Sequence, residues 1–159
     1  MFEVNIYLET SLKGPVVKDG WYAAVLEYKS KSGKTTTRED FEWQKGTTYH
    51  RQSVCALLKS LKRLNASCIV NIYSDSIYLK NGIEKNLSTW KSNGYINAKG
   101  EQIKNIQEWK EIAKLIGGHK IKFHISKRHT YTIQMMGEAK RRFQNAGDSV
   151  NTESKRVWR

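Results

Sequence analysis

The run Cys68-Ile-Val-Asn-Ile-Tyr-Ser-Asp75 sets the frame for this chain. Its β-branched and aromatic residues suit a buried strand, and it stops on a carboxylate where helix-like sequence begins. In open α/β sheets the carboxyl ends of strands face the crevice where ligands bind. Upstream, Phe2 to Glu9 alternates, with Phe2, Val4, Ile6 and Leu8 on one face and Glu3, Asn5, Tyr7 and Glu9 on the other. That period of two marks a second strand. Between them, Thr48 to Leu64 carries Val54, Leu57, Leu58, Leu61 and Leu64 at helical spacing. A helix between two strands predicts that they run parallel in one sheet.

The remaining segments fill in the order. Trp21 to Tyr28 and Thr35 to Trp43 read as strands joined at the turn Lys31-Ser-Gly-Lys34, so two hairpins open the domain. After Asp75, a short helix to Asn81 is expected, capped by Ser74 or Asp75. Leu87 to Trp90 suggests another short helix. Asn105 to Ile116 is amphipathic through Ile106, Trp109, Ile112 and Ile116, Lys120 to Ser126 alternates as a fifth strand, and Thr132 to Phe143 forms a last helix. The expected class is α/β: a five-stranded mixed sheet, three antiparallel strands then two parallel, with helices on both faces. One domain is expected over residues 1–143, followed by a basic, polar, mobile tail over 144–159. Trp21, Trp43 and Trp109 fall on strand or helix patterns and are expected in the core.

Charge narrows the partner. Lys and Arg total 28 against 15 acids, a formal +13 over 159 residues. Such an excess points to nucleic acid, because each phosphate neutralised releases a counterion. No apolar run reaches membrane-spanning length and no signal peptide opens the chain, so no membrane association and a cytoplasmic setting are expected. The two cysteines, Cys55 and Cys68, form no CxxC and do not pair with histidines, which argues against structural zinc.

Three stretches resemble the ribonuclease H family. Val4-Asn-Ile-Tyr-Leu-Glu-Thr-Ser11 is similar to the family's first strand, which ends in Asp-Gly-Ser. Ile72-Tyr-Ser-Asp-Ser-Ile-Tyr-Leu-Lys-Asn-Gly82 is similar to its Thr-Asp-Ser-x-Tyr segment. Trp90-Lys-Ser-Asn-Gly-Tyr95, Lys104-Asn105 and Trp109 resemble the basic protrusion and following helix of the bacterial and vertebrate enzymes. The likeness is nearly gapless from about Thr48 to about His129 and looser before it.

The resemblance implies two-metal phosphodiester hydrolysis, in which four carboxylates hold two Mg²⁺ ions and a mobile histidine assists. The first carboxylate position falls on Glu9, one methylene longer than the family's aspartate. The second falls on Ser53; a shift by one residue would offer Gln52, and neither is charged. His50 stands where the family has a nucleic-acid-contacting asparagine, followed by Arg51. The third is Asp75. His129 sits at the family's separation from Asp75. Counting onward for the fourth carboxylate lands on Ala139 without a gap, Glu138 with one deletion and Gly137 with two. The candidate catalytic set is therefore Glu9, Asp75, Glu138 and His129, with Glu9 and Asp75 as metal ligands and Ser53 as a degenerate position. Mg²⁺ or Mn²⁺ is implied if the site is active, and otherwise no cofactor.

The binding residues are better kept. Lys80, Lys85, Lys91, Lys99 and Lys104 surround the protrusion with Trp90 and Tyr95, Lys127 and Arg128 flank His129, and Lys140, Arg141 and Arg142 follow on the last helix. Basic residues mixed with aromatics suit a groove that tracks a phosphate backbone. Trp90 and Tyr95 could equally pack the protrusion against the body. The expected function is binding of RNA or an RNA–DNA hybrid by a catalytically impaired or inactive monomer that masks or inhibits a nucleoprotein complex. Two alternatives stand: an active hybrid nuclease with a reduced carboxylate set, and a protein-interaction module on the same fold.

Overall fold

The computed structural model describes the backbone from Phe2 to Val157 and the side chains of residues 2–146. Strands β1 (Phe2–Thr10), β2 (Lys18–Lys29) and β3 (Thr35–Thr47) come first, then helix α1 (Tyr49–Lys62) and strand β4 (Cys68–Ser74). Helices α2 (Ile77–Asn81) and α3 (Leu87–Asn93) are joined without a break by a π-helical turn, Gly82–Asn86. Helix α4 (Ile106–Ile116), strand β5 (Lys120–Ile125) and helix α5 (Thr132–Val157) complete the chain. The sheet order is β3-β2-β1-β4-β5, with β1–β2 and β2–β3 antiparallel and β1–β4 and β4–β5 parallel. This is the mixed sheet expected from the sequence.

Alternation along β1 places its side chains in two layers. Val4, Ile6 and Leu8 join Leu57, Leu61, Val70, Ile72 and Trp109 in the main core, on the side that α1 and α4 cover. Tyr7 faces the other way and packs with Ala23, Val25 and Met135 under α5. Helices therefore lie on both faces. Phe2, at the strand's start, is left 67% exposed. Two glycines mark close approaches. A Cβ on Gly82 would overlap the Trp109 ring, and one on Gly20 would overlap the Ser11 hydroxyl.

Several local boundaries differ from the sequence reading. Thr48 is the cap of α1, its side chain accepting from Arg51 N–H, and the helix ends at Lys62. The cap of α2 is Ser76, whose hydroxyl accepts from Leu79 N–H, so neither Ser74 nor Asp75 has that role. Asp75 is thereby free for the cleft. Helix α5 continues through 144 to Val157, beyond the Phe143 end expected for the last helix. Trp109 is fully buried, but Trp21 and Trp43 are only half-buried, since they line a surface groove of 470 Å³ beside Phe143. No helix among the described residues is long and apolar enough to cross a membrane.

Candidate active site

The carboxyl ends of β1 and β4 deliver two acids side by side. The two strands pair in parallel up to Tyr7 and Tyr73, and each runs on two residues to a carboxylate, Glu9 and Asp75. Glu9 is nearly buried, with its side chain 7% exposed, and Asp75 is partly open.

Each oxygen of the pair has an internal partner. Asp75 Oδ1 accepts from the Tyr49 hydroxyl at 2.5 Å, and Oδ2 accepts from Lys13 Nζ at 2.9 Å. Burial first, then the hydrogen bond and charge of Asp75, push the Tyr49 hydroxyl well above its ordinary pKa, so it stays a donor. Glu9 Oε1 accepts from Thr132 Oγ1 at 2.9 Å and faces His129 Nε2 at 3.2 Å. Glu9 Oε2 lies 3.8 Å from Lys13 Nζ.

The sequence places the second acid at Ser53, and the structure gives that residue a different task. Its buried hydroxyl donates to Tyr49 O at 2.8 Å, one turn back in α1, the bond a helical serine makes to its own helix. Gln52 is occupied as well: its side chain accepts from Leu12 N–H at 3.1 Å and donates to Ser11 Oγ at 3.3 Å, pinning the β1–β2 loop.

The expected fourth acid, Glu138, does not join the pair. It sits nearly two turns into α5, bonded to Arg141 and Arg142, the latter at 2.7 Å, beside Phe41 and Glu39 of β3. Those guanidinium hydrogen bonds, from Arg141 first, pull its pKa down to about 2. Ala139 is buried, Gly137 carries no side chain, and the first turn of α5 holds no acid. Where α5 begins, the group beside Glu9 is the Thr132 hydroxyl, which donates to Glu9 Oε1.

His129 is buried and hydrogen-bonded at both ring nitrogens. Its side chain is 2% exposed, packs 5.0 Å from the Tyr7 ring, and accepts Tyr131 N–H on Nδ1 at 3.2 Å. That places the ring proton on Nε2, aimed at Leu8 O at 3.2 Å and at Glu9. Sequence reasoning missed Lys13, Tyr49 and Thr132. Only the position of Lys13, four residues beyond Glu9 in a loop, hinted at its reach.

A cleft of 670 Å³ adjoins this end, lined by Lys13, Tyr49, His50, Tyr78 and Lys104 among others. His50 stacks on Tyr78 with centroids 4.1 Å apart and 15° between the planes. Burial, helped by the Lys104 charge, lowers the His50 pKa and favours the neutral ring. Trp109 Nε1 donates to the Tyr78 hydroxyl at 2.8 Å, which fixes that ring. The expected binding residues divide into two groups. Arg51 is spent on Asn105 and Glu108, Lys80 on Glu84, and Arg141 on Glu138. Trp90 packs edge-on against Trp109, and Tyr95 lies under Lys110, so both serve the protrusion itself. Among the described residues, Lys85, Lys91, Lys99, Lys104, Lys127, Arg128 and Lys140 form no ion pair.

The model of the family described as RNase H matches residues 2–139. The chain belongs to the RNase H family. A ribonuclease H of Legionella pneumophila (strain Corby) is 36% identical over 128 residues, covering 80% of this chain and 85% of that protein. A ribonuclease H of Acetivibrio thermocellus is 31% identical over 154 residues, covering 96% and 95%. In fold the chain is similar to LC9-RNase H1, described as a type 1 RNase H with the type 2 active-site motif, with TM-score 0.68 at 20% identity over 81% of this chain and 64% of that one. It is also similar to a foamy viral protease-reverse transcriptase solved with an RNA/DNA hybrid, with TM-score 0.62 at 19% identity over 84% of this chain and 18% of that one.

The family's paired Mg²⁺ ions need several carboxylate oxygens at about 2.0–2.1 Å in near-octahedral array. This chain brings two carboxylates together, Glu9 and Asp75, with Ser53 at the position expected for the second acid and an ammonium against both. Among the described residues, no three His, Cys, Asp or Glu side chains are arranged to hold a metal ion. The donor set does not fit a two-metal centre.

Proposed function

We propose that this protein binds RNA or an RNA–DNA hybrid by shape and backbone charge, and that it is catalytically impaired or inactive. One observation carries the reading: Ser53, at the position expected for an acid, is neutral and bonded within its own helix, while Lys13 lies against both Glu9 and Asp75. Two-metal hydrolysis relies on dications to ionise water and stabilise the leaving oxygen. Two carboxylates that already share a lysine give such ions little purchase.

What survives is a cationic surface. Lysines of the protrusion that form no ion pair among the described residues include Lys104, which lines a cleft beside the His50–Tyr78 stack. The foamy viral relative was solved with an RNA/DNA hybrid, and that ligand class is the one we bring to this chain. Hybrids and duplex RNA are read by their A-form groove and 2′-hydroxyls, not by base sequence. A chain that covers a hybrid without cutting it can mask that hybrid within a nucleoprotein complex.

Fluorescence anisotropy with labelled hybrid, duplex RNA and duplex DNA across a salt series tests the reading. Hybrid or duplex RNA is expected to bind more tightly than duplex DNA, with affinity falling steeply as salt rises. No retention of any of the three at low salt would favour a protein-interaction module. Fragmentation of the hybrid in Mg²⁺ would favour the nuclease.

A further inference from the structure

The carboxylate pair does not stand as an empty cage. Lys13 Nζ lies 2.9 Å from Asp75 Oδ2, 3.3 Å from Thr10 Oγ1 and 3.8 Å from Glu9 Oε2. It also sits 5.7 Å from the centre of the Tyr49 ring. An ammonium has three N–H donors; two of them bond Asp75 and Thr10, and Glu9 lies within ion-pair range. The loop that presents it is fixed, because Gln52 accepts Leu12 N–H and the Ser11 hydroxyl accepts Trp21 N–H at 2.8 Å. Lys13 and Asp75 are 62 positions apart in sequence, so the arrangement belongs to the tertiary fold.

We propose that the Lys13 ammonium is a tethered substitute for a divalent cation, occupying the position between Glu9 and Asp75 that a metal would take. The substitution explains why two adjacent acids are kept at a site that has lost its other two. Without a cation, a nearly buried Glu9 would face Asp75 unscreened, and repulsion between them would open the strand ends. A single positive charge removes that repulsion. It cannot do the rest of a metal's work, since an ammonium neither coordinates water nor lowers its pKa toward neutrality. The site is thereby preserved as structure and silenced as chemistry. The half-exposed side chain also leaves the ammonium one open flank toward the cleft.

The test is a Mn²⁺ titration of the full chain without nucleic acid, followed by calorimetry and by the loss of free-ion electron-spin resonance signal. It is independent of whether the chain binds a hybrid. The native protein is expected to take up no Mn²⁺ saturably at millimolar concentration. Lys13→Ser, with its fold checked by circular dichroism, is expected to acquire one site at least about tenfold tighter than any native uptake, by removal of one competing charge. Adding Asp75→Asn to Lys13→Ser should abolish that site. Equal Mn²⁺ affinity in the native protein and Lys13→Ser would overturn the proposal, and so would a folded Lys13→Ser that gains no site. If Lys13→Ser fails to fold, Lys13→Gln serves, because it removes the charge while retaining most of the side-chain stem and a polar N–H group.

Discussion

Around Asp75 each acidic oxygen has a partner inside the molecule, whereas the ammonium groups of Lys85, Lys91, Lys99 and Lys104 have none among the described residues. The two ends of one cleft have thus gone opposite ways. At the strand ends, Lys13, Tyr49, Thr132 and His129 have closed the carboxylates into an internal network. Across the cleft, the protrusion is packed firmly from below through Trp90, Trp109 and Tyr78, and its charge is left facing outward. The contrast teaches that chemistry and recognition are separable in this fold. Catalysis depends on a few atoms at exact distances, and recognition on a surface whose parts are individually replaceable.

The largest expected effect tests whether the protrusion is a rigid platform. Trp109→Ala removes a fully buried ring and should cost about 3–5 kcal/mol in a urea or thermal melt. If the platform matters, nucleic-acid affinity falls even where the variant remains folded. Thermal loss well under that range would mean that the protrusion is anchored elsewhere.

Next in size is the carboxylate end. Ser53→Glu buries a third acid near Glu9 and Asp75 and breaks the Ser53–Tyr49 bond, so it should destabilise by about 1–3 kcal/mol. It should not by itself raise hybrid cleavage, because Lys13 still lies against both acids. A clear gain in activity would mean that only one acid was missing, and the contrast between the two ends would fail.

A smaller effect sharpens the recognition side. Replacing Lys91 and Lys104 together with Gln should cut affinity roughly tenfold near 0.1 M salt and reduce the log–log salt slope by about 1.8 if each touches one phosphate. Arg51→Gln should change that slope less, because its guanidinium is committed to Asn105 and Glu108. The smallest effect concerns Glu138. Its folded pKa of about 2 lies below the ordinary 4.5, so its ion pairs add stability that is present above the ordinary value and lost as pH falls toward 2. Glu138→Gln should lower the melting temperature slightly at neutral pH, flatten the acid limb between those values, and leave nucleic-acid affinity almost unchanged.

The sequence made the frame legible where burial imposes a period. Alternation in β1, the apolar run of β4 and the apolar stripe of α1 each predict both element and direction, and the sheet follows from them. Asp75 could be placed at a crevice for the same reason. The extent of α5 beyond 143 could not be read, since its polar residues carry no such period. At the site, the loss at Ser53 was visible because α1 joins the matching segments without a gap. The fourth acid position was not, because it lies beyond a loop of uncertain register. Lys13 was invisible in a deeper sense: its partner Asp75 is 62 residues away, and only the folded loop reveals that a base has moved between two acids.

The central claim is that this RNase H-family chain holds a hybrid without cutting it. A single-turnover experiment with the protein in excess over an end-labelled RNA–DNA hybrid, in Mg²⁺ and again in Mn²⁺, measures both halves at once when each time point is split between native and denaturing gels. The account predicts a shifted complex on the native gel and intact RNA on the denaturing gel in either metal. RNA fragments that accumulate with time and vanish in Asp75→Asn would contradict it.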